Sequence, residues 1–141
     1  MNDAGFEVSQ RVYYEDTDAL GIVYHANYLK FMERARTDWL RSASSDHAAL
    51  RERHGVAFVV TRIDVRFRQP ALLDDVLTVG VRVTRMGRAG FDMQQWVHRG
   101  TPADEAQTLC TARVRLACLD ARSMTPVRIP EPLLMELQGD H

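Results

Sequence analysis

Four runs after residue 60 alternate apolar and polar residues with a period of two, the pattern of strands that bury one face. Turn residues separate four such runs, because Pro70 ends the first and the link Met86 to Gly90 interrupts the second. The alternating sets are Ile63, Val65, Phe67; Leu77, Val79, Val81, Val83; Phe91, Met93, Gln95, Val97; and Ala112, Val114, Leu116, Cys118. The short glycine-containing link predicts an antiparallel hairpin between the second and third runs, and Pro102 breaks the next connection.

The first half of the chain follows a different period. Residues 11 to 15 form a short β-prone run that leads into the polar turn of residues 16 to 21. From Asn27 to about Ser42 apolar residues recur at helical spacing, which predicts one long amphipathic helix. A shorter helix is predicted over residues 46 to 54, closed by Gly55.

This order of elements is typical of an α+β domain with the long helix on one face of an antiparallel sheet of about five strands. From Pro126 onward, three prolines and a weak apolar stripe predict an extended tail with at most one short helix. The 141 residues are expected to form one domain, with a core over about 10 to 120 and a tail over 121 to 141. Because an open sheet leaves unpaired edges, we expect an oligomer.

Charge and composition exclude several classes of function. Eighteen basic residues against nineteen acidic ones give a net charge of -1, so no global field favours nucleic acid. No run approaches the roughly 18 apolar residues of a membrane helix, and residues 1 to 9 lack a leader pattern, so we expect a cytoplasmic protein without membrane insertion. Cys110 and Cys118 lie about 27 Å apart along one predicted strand, too far for a disulfide, and are expected to be buried.

The densest group of reactive side chains lies just before the long helix. It comprises the run Tyr14 to Asp18, then Tyr24 and His25, with Asn27 at the helix start. A carboxylate there can act as base or nucleophile, and free N–H groups at the helix terminus can bind an oxyanion, which are the two parts that acyl transfer needs. The alternative interpretation is that the acidic residues only shape a turn. The five histidines are scattered and none pairs with a cysteine at zinc spacing, so no metal or cofactor is predicted.

Residues 11 to 29, RVYYEDTDALGIVYHANYL, closely resemble the signature of hotdog-fold acyl-CoA thioesterases, in particular the YbgC branch of the 4-hydroxybenzoyl-CoA thioesterase family. The resemblance continues through residues 33 to 36, 57 to 60 and 70 to 75, and so covers about residues 10 to 120. It implies a hotdog fold, in which a five-stranded antiparallel sheet wraps a long central helix. It also implies an enzyme that hydrolyses an acyl-CoA thioester to free acid and CoA.

The resemblance assigns roles to individual residues. Asp18 matches the catalytic carboxylate, the backbone N–H of His25 matches the oxyanion donor, and the His25 side chain could orient water or substrate. Since a thiolate leaves with little acid help, Asp18 can act either as general base or as nucleophile through a mixed anhydride, and the sequence leaves both routes open. Leu20, where relatives often have Gly, leaves the acyl preference open. The candidates for substrate binding are Tyr24, Asn27, Val60, and the hairpin arginines Arg85 and Arg88, the last two for the CoA phosphates.

The resemblance also implies partners. Family members pair their sheets into dimers or tetramers with acyl-CoA at the subunit interface, and the YbgC branch is associated with acyl carrier protein and the Tol-Pal envelope system. Two other functions remain open: a hotdog hydratase or dehydratase, and a non-catalytic protein that binds acyl thioesters or envelope partners. Release of free thiol from acyl-CoA identifies a thioesterase, whereas loss of enoyl absorbance without thiol release identifies a hydratase.

Overall fold

The structure, a computed structural model, describes residues 5–100 and 107–139. The described chain contains five strands, three α-helices and one short 3-10 turn. In chain order they are β1 (Phe6–Arg11), the 3-10 turn (Tyr14–Asp16), α1 (Asn27–Ala43), α2 (His47–His54), β2 (Val56–Phe67), β3 (Val76–Met86), β4 (Gly90–Arg99), β5 (Thr108–Asp120) and α3 (Glu131–Gln138).

All five strands join one antiparallel sheet in the order β1-β3-β4-β5-β2. The predicted sheet of four later strands and one early strand is confirmed, as is the hairpin between β3 and β4, where the Gly87 N–H donates to the Gly90 carbonyl at 2.8 Å. The expected break at Pro102 lies outside the described residues. Strands β1 and β2 are the two edges, and β2 hydrogen-bonds only to β5 within the described chain.

Helix α1 packs on the inner face of this sheet. Its buried residues include Tyr28, Phe31, Met32 and Ala35, which recur at helical spacing and share one core with the inward residues of the strands. The predicted long helix is confirmed. The second helix is confirmed too, because the Asp46 carboxylate caps its first turn through the Ala49 N–H and Gly55 closes it with a positive φ of 68°.

The prediction of a strand over residues 11 to 15 is wrong. The first strand runs earlier, over Phe6–Arg11, where alternating half-buried and exposed residues already carry the period of two. After Arg11 the chain leaves the sheet, and the Asp16 carboxylate accepts the Tyr13 N–H at 2.9 Å. A carboxylate that binds the backbone three residues earlier favours a turn over a strand.

The C-terminal segment contains the one short helix that the sequence allows, and this helix belongs to the core. Leu133 and Leu137 of α3 are buried, and the Glu136 carboxylate accepts the Ser44 hydroxyl at the end of α1. Residues beyond 120 therefore belong to the hydrophobic core together with the strands. No helix in the described part of the chain is long and apolar enough to cross a membrane. The expectation for the cysteines is confirmed, since Cys110 and Cys118 are both free and buried.

Candidate active site

A tight loop between the 3-10 turn and α1 presents Asp18 to solvent. Thr17 and Val23 form an antiparallel bridge, and the Asp18 N–H donates to the Ile22 carbonyl at 2.9 Å. The reversal between them uses Gly21, whose φ of 77° is a conformation that glycine adopts without a Cβ clash. The exposed Asp18 carboxylate accepts the Leu20 N–H through Oδ1 at 2.8 Å. Its Oδ2 has no partner among the described residues.

Asp16 anchors this loop through hydrogen bonds to the segments on both sides of it. It is buried, with 6% of its surface exposed. Its Oδ2 accepts the Tyr13 N–H at 2.9 Å and its Oδ1 accepts the Asn27 side-chain amide at 3.0 Å. Its backbone carbonyl accepts the Tyr24 N–H at 2.9 Å. One residue therefore joins the segment before the loop, the segment after it and the first residue of α1.

His25 lies at the entrance of α1, between the loop and the helix. Among the hydrogen bonds of the described residues, none uses the His25 backbone N–H as donor. The first turn of a helix carries partial positive charge, so an unpaired N–H beside it is suited to an anionic oxygen. The exposed imidazole packs beside Tyr24, with ring centroids 4.5 Å apart, and at 6.3 Å from Phe67 at the end of β2.

The segment between β2 and β3 holds the loop in place from the other side. Its Ala71 carbonyl accepts the Val23 N–H at 2.9 Å, and its Ala71 N–H donates to the Tyr28 hydroxyl at 2.9 Å. Burial raises the pKa of Tyr28, so the hydroxyl remains neutral near pH 7. Arg99 braces the same segment by donating to the Asp75 carboxylate at 3.0 Å and to the Pro70 carbonyl at 2.6 Å.

The structure brings four of the predicted site residues together: Asp18, Tyr24, His25 and Asn27. Tyr24 is 46% exposed and can contact a ligand. Asn27 is buried and its amide donates to Asp16, so the geometry gives it a positioning role. The surface of the candidate site is therefore formed by the Asp18 carboxylate, the His25 N–H and the ring of Tyr24.

Val60 lies elsewhere, beside a mostly apolar cavity between α1 and the β2 side of the sheet. The empty volume is about 580 Å³ and opens to solvent. Its apolar lining consists of Trp39, Leu40, Phe58, Val60, Phe91, Met93 and Leu116, and its polar lining of Glu33, Arg36, Thr37 and His47. Val60 faces this space from the edge strand and is 42% exposed.

Arg85 and Arg88 lie far from Asp18 within one chain. Strand β3 begins at Val76, whose register partner Arg11 precedes the loop, and ends at the hairpin that carries both arginines. At the usual rise per residue the strand separates the two ends by about 33 Å. Both side chains are exposed. A ligand at Asp18 can meet them only on another subunit or through a long extension.

Sequence reasoning missed a polar pair under α1. Gln95 is fully buried on β4 and donates to the Met32 carbonyl of α1 at 3.0 Å. Its side-chain oxygen accepts Arg36 Nη1 at 2.9 Å. The available signal was the amide of Gln95 in an alternating set that is otherwise apolar, because a buried amide needs hydrogen-bond partners.

Comparison with known proteins gives concordant matches along nearly the whole chain. Residues 12–137 match the family model described as the thioesterase-like superfamily. The chain is 42% identical over 131 residues to the acyl-CoA thioesterase YbgC of Haemophilus influenzae, covering 93% of each protein. It is 40% identical over 139 residues to the acyl-CoA thioester hydrolase YbgC of Escherichia coli, covering 98% of this chain and 99% of that one. A probable thioesterase from Bartonella henselae has a similar crystal structure, with a TM-score of 0.80, 34% identity, and coverage of 89% of this chain and 99% of that one.

Proposed function

The chain belongs to the thioesterase-like superfamily, and we propose that it is an acyl-CoA thioesterase with Asp18 and His25 at its catalytic centre. The observation that carries the proposal is local. An exposed carboxylate with a free oxygen stands in the same short loop as an unpaired N–H at the start of α1. These are the groups that thioester hydrolysis requires.

The His25 N–H is the proposed oxyanion donor. When a nucleophile adds to the thioester carbonyl, the oxygen gains negative charge, and a fixed N–H lowers the energy of that state more than that of the neutral carbonyl. The hydrogen bonds of Asp16 and Tyr28 hold the loop and helix start before substrate arrives. The donor therefore needs little rearrangement during the reaction.

Asp18 supplies the proposed base or nucleophile. As a base, it takes a proton from water, the resulting hydroxide adds to the carbonyl carbon, and the C–S bond breaks to release CoA thiolate, which takes up a proton. As a nucleophile, its free oxygen forms a mixed anhydride as the C–S bond breaks, and water then cleaves the anhydride and restores the carboxylate. Both routes consume one water and yield acid and CoA. In a single turnover in ¹⁸O-labelled water, label in Asp18 identifies the anhydride route with water attacking the Asp18 carbonyl. Attack at the acyl carbonyl labels the released acid in both routes, so reductive trapping of the acylated Asp18 with borohydride distinguishes the routes in that case.

The decisive test of the activity is a panel of short, long and aromatic acyl-CoAs assayed with a thiol-trapping dye. Stoichiometric release of free acid and thiol supports the proposal. Loss of enoyl absorbance without thiol release would identify a hydratase, and tight binding without turnover would identify a binding protein. Acyl carrier protein thioesters in the same panel test whether they are alternative substrates.

We further propose that two chains pair through β2. This edge strand has no partner on its outer side within the described residues. It exposes Val60 beside the apolar cavity and Phe67 close to His25. An unpaired edge with apolar side chains is prone to strand pairing. Pairing would join two sheets and place one chain's catalytic loop beside the other's β2.

The smallest active species is therefore expected to be a dimer. Analytical ultracentrifugation combined with activity across a dilution series tests this, because specific activity should fall as dimers dissociate. Val60→Arg should shift the equilibrium toward monomers, since it places a charge in the predicted interface. A fully active monomer of 16.1 kDa contradicts the pairing.

The CoA phosphates are proposed to meet Arg85 and Arg88, supplied by a second subunit. We expect Arg88→Ala to raise KM for acyl-CoA by roughly three- to thirtyfold, equivalent to about 0.6 to 2 kcal/mol, with little change in kcat. A remote phosphate contact binds substrate and transition state equally. Arg122→Ala, at an exposed turn, is the control. An equal rise in KM for an acyl-pantetheine thioester, which lacks the nucleotide, excludes a phosphate-specific role.

The proposed location is the cytoplasm, where acyl-CoA is made and consumed. Cell fractionation with activity measured in each fraction tests this assignment. Recovery in the envelope fraction would instead favour an association with envelope partners.

A further inference from the structure

Arg36 holds a fixed position inside the cavity between α1 and β2. Its Nη1 donates to Gln95 Oε1 at 2.9 Å, and Gln95 is itself held by the Met32 carbonyl at 3.0 Å. Gln95 is fully buried in the sheet, so it restrains the guanidinium from beneath. The restraint leaves the other nitrogens of the guanidinium without protein acceptors in the described chain.

The charge of Arg36 lacks the carboxylate partner that Arg99, the other half-buried arginine of the described residues, has. Arg99 pairs with Asp75 at 3.0 Å, whereas no described carboxylate lies within ion-pair distance of Arg36. Glu33 lines the same cavity, but it is exposed and its Oε1 accepts the Thr37 hydroxyl at 3.3 Å. Burial lowers the pKa of Arg36, and the charge of Glu33 offsets part of this effect. A buried guanidinium gains most from a charged acceptor.

Arg36 is nevertheless open to the cavity. The fully enclosed polar side-chain atoms that lack a partner in the described chain are Ser45 Oγ and His54 Nε2, and no Arg36 nitrogen is among them. The space that Arg36 faces is otherwise lined mainly by aromatic and aliphatic side chains, such as Trp39 and Phe58. Such a lining favours a hydrocarbon chain, since burial of apolar surface is favourable.

We propose that this cavity receives the acyl group and that Arg36 selects acyl chains with a carboxylate at the end remote from the thioester. The inference rests on the proposed thioesterase function and names the substrate class within it. The apolar wall holds the methylene chain, and the free guanidinium nitrogens bind the terminal carboxylate. Glu33 and His47 remain at the cavity as further polar groups.

Acyl length decides whether the carboxylate reaches Arg36. Along α1 the distance from His25 to Arg36 is about 16 Å at the usual helical rise. A shorter path applies if the catalytic loop of a second subunit supplies the thioester carbonyl. The preference for a carboxylate should therefore appear at one range of chain lengths and vanish when the chain is too short.

The experiment compares matched pairs of equal carbon number: adipoyl-CoA with hexanoyl-CoA, suberoyl-CoA with octanoyl-CoA, and dodecanedioyl-CoA with dodecanoyl-CoA. We expect kcat/KM to favour the carboxylated member of at least one pair by about ten- to hundredfold, the range for a hydrogen bond to a charged group. Arg36→Met should reduce the ratio of kcat/KM between the carboxylated and the unsubstituted member of that pair at least tenfold. Because both substrates of a pair meet the same protein, partial misfolding of the variant cancels from the ratio.

Arg34→Met is the matched control, since Arg34 is exposed on the same helix and donates to Gln10 at 3.3 Å. It should keep the wild-type ratio. Wild-type protein that hydrolyses every unsubstituted chain at least as well as its carboxylated partner overturns the inference and leaves the thioesterase function intact. A preference that survives in Arg36→Met also overturns it. Failure to release thiol from any acyl-CoA instead refutes the proposed function itself.

Discussion

Asp18→Asn is expected to lower kcat for acyl-CoA hydrolysis at least about a hundredfold, the lower range for a lost acid–base group. The substitution keeps the shape of the side chain and its acceptor for the Leu20 N–H, but an amide neither removes a proton from water nor forms an anhydride. Because Asp18 is exposed and makes this single side-chain hydrogen bond, the free energy of unfolding should change little. Steady-state thiol release and urea denaturation of the same preparation measure both quantities.

Glu15→Gln is the matched control for this loss of charge. Glu15 is an exposed carboxylate in the adjoining 3-10 turn, and no described residue hydrogen-bonds to its side chain. It should retain activity within about twofold, since surface substitutions away from special features have small effects. Near-normal activity in Asp18→Asn would refute its catalytic assignment. Equal losses in both variants would point to a general electrostatic effect.

Asp16→Asn is expected to act mainly through stability. The carboxylate oxygens of Asp16 accept a part-buried donor from Tyr13 and a buried donor from Asn27, and an Asn places an NH₂ group against one of them. Leaving a buried donor unsatisfied costs about 1 to 3 kcal/mol of unfolding free energy. Turnover should also fall, though less than in Asp18→Asn, because the loop loses its anchor. Urea denaturation followed by circular dichroism provides the measurement.

Asp46→Asn is the control for replacing a carboxylate that accepts a backbone N–H with an amide. Asp46 caps α2 through the Ala49 N–H from an exposed position, and Asn is an equally good cap, so stability should stay within about 0.5 kcal/mol. An Asp16→Asn protein as stable as the wild type would show that the buried hydrogen bonds contribute little. Comparison of Asp16→Asn with Asp18→Asn thus separates a residue that positions the loop from one that performs chemistry.

The periodic parts of the chain were predictable because burial imposes the period. Helix α1 and strands β3 to β5 each pack one face against the core, so their apolar residues recur at helical or alternating positions. The 3-10 turn was not predicted, because Tyr13 and Tyr14 have high strand propensity. A tertiary hydrogen bond from Asn27, which is distant in sequence, fixes the Asp16 side chain that shapes this turn.

Within the candidate site, the sequence indicates residue types more readily than roles. Asp18 and His25 share one signature segment, and the fold keeps that segment together, while their catalytic roles stay a prediction. The positioning function of Asn27 depends on the side chain that its amide meets, which spacing does not reveal. The pairing of Arg36 with Gln95 depends on the crossing of α1 over β4, and sequence position does not specify that crossing.

The buried cysteines give the folded protein a low thiol background. Burial raises the pKa of Cys110 to about 12 and that of Cys118 to about 11, and thiolates are the species that react with disulfide dyes. In the native state these two cysteines, the only ones in the chain, should stay silent while CoA thiol is measured. Without substrate, the same dye measures a rate of local unfolding. The rate at which two thiols per chain react with it reports the opening of β5, which carries both cysteines.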